Sequence, residues 1–354
     1  MDIDKILLNK VKDLEMYKII SNPINNKDVI NKLTINNDSE IKDIIRSVIT
    51  NYVDNIFNVI PNNYLEILNS NLNTLKLVKK DVLKEEVINK DSCSFYPALY
   101  YLIENTIIYF DKEIYELLGT NYKEILKQVF NHEMLHLSTT IIENNTIYSG
   151  LAVNDLGDYL NEEYTELIND LILNNNIVLT NYEYEKRIAL MLSNFIGNDN
   201  MLKCYFNANT RYFNRTLNKY SDSKDILHIL RIIDRIGINK KNKNLSKDKH
   251  DNIINYHLEL TNYILKVHTN KLIEMLNDNL ISLDTSVDNI TTLSFFMFNN
   301  AGFIESFNKD DASLLKEKIT IDFLNEYINK LYNYNKGKTK ILGSLSNSGC
   351  DQKS

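Results

Sequence analysis

The chain has no tryptophan, three prolines and nine glycines in 354 residues. So few breakers leave long stretches free to stay helical, and abundant Leu, Ile, Lys and Glu favour a mostly helical chain. Cysteine is scarce too: Cys93, Cys204 and Cys350 are far apart and odd in number. They make no disulfide framework and no C-x-x-C metal knuckle, which suits a reducing compartment. Long apolar runs are also missing. No stretch approaches the roughly 18 apolar residues that a membrane-spanning helix needs. The N-terminal sequence MDIDKILLNKVKDLEMYKII is broken by charges and lacks the apolar core and small-residue cleavage site of a signal peptide. A cytoplasmic location is therefore expected, with export by a route that leaves no such signal still open. Positive charge is in deficit, with 40 Lys and Arg against 47 Asp and Glu for a net charge of −7. That balance argues against nucleic acid as the main partner. The basic cluster at 240–249, KKNKNLSKDK, alternates with Asn, Ser and Asp and reads as a solvated loop.

What is present is ordinary for a globular protein: 44% hydrophobic and 25% charged residues, enough for two or three subdomains. Residues 1–58 read as an N-terminal helical region. Ile6, Leu7, Val11, Leu14 and Ile19 form one apolar stripe; Ile41, Ile44, Ile45, Val48, Ile49, Val53 and Ile56 form a cleaner one. Residues 59–210 change character. Thr74 to Val78 alternates like a strand, and the β-rich runs Phe95 to Leu102 and Thr106 to Phe110 flank a turn at Glu104-Asn105. Asn144-Asn145 marks another hairpin. Residues 211–336 read as a C-terminal helical domain with loops near 221–223, 237–249 and 284–288. The tail 337–354, rich in Gly, Ser and Lys, is expected to be poorly ordered.

The chemistry concentrates in one segment. From Asn121 the chain reads NYKEILKQVFNHEMLHLSTT, in which His132, Glu133 and His136 form H-E-x-x-H. Ile125, Val129, His132 and His136 are spaced by four, three and four residues and share one helix face. Imidazoles four apart on a helix sit one above the other and can grip one metal ion. Glu133 is placed to reach a water on that metal without binding the metal itself. A catalytic zinc site needs a third protein ligand. Asn161-Glu162-Glu163-Tyr164-Thr165-Glu166 opens a second periodic run beyond it. Glu162 and Glu166, four apart, project from one face; Glu162 is assigned to the metal and Glu166 to the outer N–H of a ligand histidine.

These two motifs resemble the signature of the thermolysin-like gluzincin metallopeptidases, H-E-x-x-H on one helix and N-E-x-x-[ST]-[DE] on the next. The resemblance covers roughly residues 60 to 210. It implies an α+β fold: a zincin-type catalytic domain with a small antiparallel sheet and an active-site helix, flanked here by mostly α-helical N- and C-terminal regions. It implies one zinc per chain on His132, His136 and Glu162, Glu133 as general base, and Glu166 as the outer partner. It implies a peptide or protein substrate whose extended backbone pairs with an edge strand of the sheet. One departure stands out: Glu163 occupies the position after the ligand glutamate, where this family has a small residue, which leaves Glu162 and Glu163 as alternatives at the metal. The metzincin extension is absent, since Thr139 stands at its glycine and no third histidine follows.

Three residues are candidates for stabilising the oxyanion: Tyr148, Tyr159 and His228, each against the plainer reading of a packed or surface side chain. The competing function is an inactive or structural zinc-binding helical interaction protein, with Glu163 or Asp158 closing the metal's fourth position.

Overall fold

The computed structural model describes residues 34–35, 41–59, 64–72, 74–81, 99–118, 121–154, 156–174, 183–221, 225–240, 242 and 244–348. The chain divides into two compact units. Among the described residues one unit takes 34–174 and 189–213, the other 183–188 and 214–348. The first apolar stripe of the sequence, Ile6 to Ile19, lies outside the described residues, as do Cys93 and Cys350.

The first unit is α+β, with two small sheets among helices. Strands β1 (Thr34–Ile35), β2 (Lys76–Lys79), β3 (Leu99–Tyr101) and β4 (Thr106–Tyr109) form a sheet in the order β1-β2-β4-β3. The expected hairpin at Glu104-Asn105 is present: β3 and β4 pair antiparallel, with Asn105 at φ 46°. The sheet as a whole is mixed, because β1 and β4 both run parallel to β2. β1 falls within the stretch read as helical. Its two β-branched residues line up with Lys76 and Leu77 across the ladder, a pairing that no local pattern announces. One row across the sheet, Leu77, Ile107 and Tyr100, is buried.

Helix α1 (Lys42–Val59) buries Ile45, Val48, Ile49, Tyr52, Val53 and Ile56, a stripe spaced by three and one. This stripe packs on the helix Tyr122–Ser138. Helices α2 (Glu66–Leu72) and α3 (Lys112–Leu118) precede α4 (Tyr122–Ser138). Asn121 caps α4, its side chain accepting the Lys123 N–H at 3.2 Å. Leu126, Phe130, Met134 and Leu137 form its buried stripe. Next comes a three-stranded antiparallel sheet: β5 (Thr140–Glu143), β6 (Thr146–Ser149) and β7 (Ala152–Val153). Its first turn has Asn144 and Asn145 at φ 50° and 63°, the left-handed pair that matches hairpin twist. Helix α5 (Asp158–Asn174) follows. Helix α6 (Glu183–Ile196) contributes residues 189–196 to this unit, joined by α7 (Asn198–Phe206) and residues 210–213 of α8 (Thr210–Asn218).

The second unit is helical: α9 (Asp225–Asn239), α10 (Lys247–Asn277), α11 (Leu283–Asn300), α12 (Lys309–Glu317), a π-helical stretch at Lys318–Phe323, and α13 (Leu324–Ser348). Leu265, Leu272, Leu276, Ile290, Tyr327 and Leu331 make a core cluster. Two expectations are corrected here. Residues 284–288 are not a loop but the start of α11: Ser282 accepts the Thr285 N–H at 3.1 Å and Asp284 sits in the first turn, so polar residues read as a break are the helix's cap. The tail is helical as far as Ser348. A single glycine costs a helix only about 1 kcal/mol, and Gly337 sits where an added Cβ would meet nothing within 4 Å. Residues 349–354 lie outside the described residues. Among the described residues no helix is long and apolar enough to cross a membrane.

Candidate metal centre

Helices α4 and α5 bring three potential ligands together. His132 Nε2 and His136 Nε2 lie 3.0 Å apart. Glu162 Oε2 is 3.3 Å from His132 Nε2, and Glu162 Oε1 is 3.2 Å from His136 Nε2. Two atoms bonded to one zinc at about 2.0–2.1 Å in tetrahedral geometry lie roughly 3.3 Å from each other. The three donors thus already have nearly the mutual spacing of a shared ion's ligands. Two imidazole lone pairs facing each other at 3.0 Å repel unless something positive stands between them.

The electrostatics make the same demand. Burial works to depress the His132 imidazole, but Glu162 and Glu166, with the charge of Glu133, outweigh it and hold its pKa well above the ordinary value. Burial works to raise the Glu162 carboxyl, but His136 and His132 outweigh it and hold it well below the usual carboxylate range. The centre calls for a cation, either a proton or a metal ion. Two nitrogens and a carboxylate are a zinc-compatible donor set. Among the described residues, these three form the one cluster of His, Cys, Asp and Glu with metal-ligating proximity.

Comparison with protein-family models, with curated proteins and with solved structures returns no match.

The neighbours of the three donors are specific. Glu166 Oε1 stands 3.0 Å from His132 Nδ1, the ring nitrogen turned away from the other ligands. Glu133 does not join the cluster; its Oε2 accepts the backbone N–H of Tyr100 at 2.8 Å. Tyr100 lies on β3, the outer strand of the mixed sheet, so of the two candidate edge strands the described sheet has β3 at its edge. Glu163 is 3% exposed, within the packed side of α5, whereas the Glu162 side chain is 52% exposed. Glu163 is therefore not on the rim of the site. Asp158 opens α5 and is not part of the cluster.

The oxyanion candidates are placed as follows. Tyr148 stands on β6 opposite Ile141 and Val153, and Tyr159 in the first turn of α5; both are partly exposed. His228 belongs to the helical unit, where its Nε2 meets Glu259 Oε1 at 2.6 Å with both side chains about half exposed.

Sequence reasoning missed two contributors, Tyr100 and Tyr205, and gave Asn161 of the second motif no task. The Tyr100 contact is made by backbone, which leaves no trace in residue type. Asn161 Oδ1 accepts the Leu151 N–H at 2.9 Å, tying the turn after β6 to α5. Tyr205, on α7, lies 2.8 Å from Thr165 through its hydroxyl. With 22 tyrosines in the chain, nothing local marks that one.

Proposed function

We propose that this chain is a zinc-dependent peptidase of gluzincin type, hydrolysing peptide bonds, with His132, His136 and Glu162 as metal ligands and Glu133 as general base. The observation that carries the reading is the convergence of the three donors at 3.0–3.3 Å beside a glutamate held apart from them by a backbone amide. A zinc ion held there would supply Lewis acidity, polarising the scissile carbonyl and making its water more acidic.

The residues divide the remaining work. The imidazoles offer Nε2 lone pairs, and Glu166, its Oε1 3.0 Å from His132 Nδ1, is the carboxylate that would fix that ring's tautomer and orientation. Tyr100 N–H engages Glu133 through Oε2, leaving Oε1 to take a proton from the attacking water and return it to the leaving amine. β3, at the outer side of its sheet and bonded to Glu133, is the strand along which an extended substrate backbone would lie. Three protein donors among the described residues, rather than four, favour a site with a position open to water over a closed structural one.

The test is metal content and peptide cleavage by the purified chain. About one zinc per chain is expected, lost in Glu162→Ala and in His136→Ala, with hydrolysis of a diverse peptide library in the zinc-loaded wild type only. Full zinc retention by both variants would sink the ligand assignment. Zinc binding without hydrolysis would favour the structural role.

A further inference from the structure

Glu162 poses a problem of register. Its side chain as a whole is 52% exposed, so the packing of its stem does little to hold it against the two histidines. A helix turns about 100° per residue, so a rotation of α5 by one position would carry Glu162 away from them. The constraint has to come from the buried face of α5, which packs on α4 and α1 and is also met by a hydroxyl from α7.

Tyr205 on α7 is fully buried. Its ring stands edge-on to Tyr164 of α5, with centroids 5.1 Å apart. Its hydroxyl lies 2.8 Å from Thr165 Oγ1, and that hydroxyl in turn donates to Asn161 O at 2.8 Å, closing on the helical turn that carries Glu162. The side chain of Thr139 lies near enough to the Tyr205 hydroxyl to lower its pKa. Thr139 is the residue that ends α4, and its Oγ1 donates to Leu135 O at 3.0 Å and His136 O at 3.2 Å. One phenol therefore bonds the middle of the glutamate helix and stands beside the residue that ends the histidine helix.

A third element is pressed onto the same point. Gly150, at φ +55°, leads out of β6, and a Cβ there would stand 2.7 Å from the Tyr205 ring and 2.2 Å from Asn161 Oδ1. The backbone turn, Asn161 and Tyr205 fit together only because position 150 carries no side chain. Burial pushes the Tyr205 hydroxyl's pKa up, and the charges of Glu162 and Glu166 reach it, so it stays protonated.

We infer that Tyr205 is a positioning residue for the metal centre: bonded to Thr165 and stacked edge-on to Tyr164, it holds α5 in the register that turns Glu162 toward His132 and His136. The inference rests on the metal-binding reading proposed above. It assigns a purpose to Thr165 as well, whose hydroxyl is the contact point on the glutamate helix.

Zinc affinity of the full chain, measured by competition with a chromogenic chelator, tests it alongside thermal melting. Tyr205→Phe keeps the ring and removes only the hydroxyl; Thr165→Val removes the partner. Tyr64→Phe is the control, because it deletes a phenol that donates to Asp199 at 3.1 Å in the same unit without touching α4 or α5 through that hydroxyl. Tyr205→Phe and Thr165→Val should each weaken zinc binding by roughly 10- to 100-fold, the range for losing a group that orients a metal ligand. Thr165→Ser should recover most of the loss, and Tyr64→Phe should bind as the wild type does. If Tyr205→Phe does not fold, Thr165→Val and Thr165→Ser decide alone. Wild-type zinc affinity in Tyr205→Phe and Thr165→Val, even with lowered melting temperatures, would overturn the inference and leave the metal site standing. Failure of the wild type itself to bind zinc would overturn both.

Discussion

The two units of this chain both hold simple ion pairs, such as Lys79 with Asp111 in the first, and among the described residues differ in one converging cluster. In the helical unit charged side chains meet partners locally. Glu185 and Lys240 form a buried ion pair, His250 Nε2 lies 3.1 Å from Asp311 Oδ2, His228 meets Glu259, and Lys219 reaches Glu274 at 2.5 Å. Arg187 lies over the rings of Phe296 and Phe303, 5.5 and 4.4 Å from their centroids. In the first unit, donors are brought to a common point with nothing among them to neutralise them all: two imidazoles and a carboxylate converge, with Glu166 behind and Glu133 beside. Closed pairs satisfy themselves and serve the scaffold. A converging set leaves a demand for positive charge, which is what distinguishes a candidate site from a cluster of charges.

The comparison can be broken most severely at Glu133. Glu133→Gln keeps the shape and removes the base. If the converging set is catalytic, zinc should stay and hydrolysis should fall by about 10² to 10⁴-fold, measured as kcat/KM on any peptide the wild type cleaves. Undiminished turnover would place the chemistry elsewhere.

On the side of the helical unit, the sharpest probe is His257. It is fully buried, its Nδ1 lies 2.8 Å from the Tyr184 hydroxyl, and burial pushes its pKa down to about 4 from 6.5. Because the folded pKa is depressed, the unfolded chain takes up the proton first. Stability present above pH 6.5 is therefore lost progressively as pH falls toward 4. The shift corresponds to roughly 3 kcal/mol. Melting curves at stepped pH should show this loss in the wild type, and a shallower one in His257→Gln. Parallel pH profiles would contradict the assignment of that slope to His257.

A smaller effect is expected at Glu166. Replacing it with Ala removes the partner of His132 Nδ1 but no ligand, so zinc affinity should fall by about 10 to 100-fold while stoichiometry holds. Loss of stoichiometry would make Glu166 a ligand and Glu162 the supporting residue.

The smallest effect belongs to His228→Ala. An exposed pair of this kind contributes about 0 to 1 kcal/mol. Zinc binding and turnover should stay at wild-type values, and a large fall in kcat with zinc retained would return His228 to the reaction.

Much of the first unit's local structure could be read in advance. α4 begins at Asn121, a residue whose side chain caps helices, and carries four-residue spacing through His136. The Asn144-Asn145 turn was legible for the same reason: asparagine tolerates the left-handed region. In a glycine-poor chain it supplies five of the six positive-φ positions that are not glycine among the described residues. The errors have a common source as well. Residues 284–288 were read by composition, yet Ser and Asp open a helix as readily as they interrupt one. β1 was missed because two residues carry no period; they become a strand only by lying beside β2.

At the site, the sequence by itself determined which side chains are available. H-E-x-x-H stacks His132 over His136 on any α-helix, and the same spacing puts Glu162 and Glu166 on one face, because helix geometry is local and repeats every 3.6 residues. Tertiary structure alone decided that those two faces meet. Glu162 and Glu163 differ in sequence only by one position, and the packing of α5 turns one outward beside the histidines and buries the other. The amide that holds Glu133 comes from Tyr100, 33 residues away, and the phenol on Thr165 from Tyr205, 40 residues away. Such contacts depend on where separate elements come to rest, and no spacing rule along the chain encodes that.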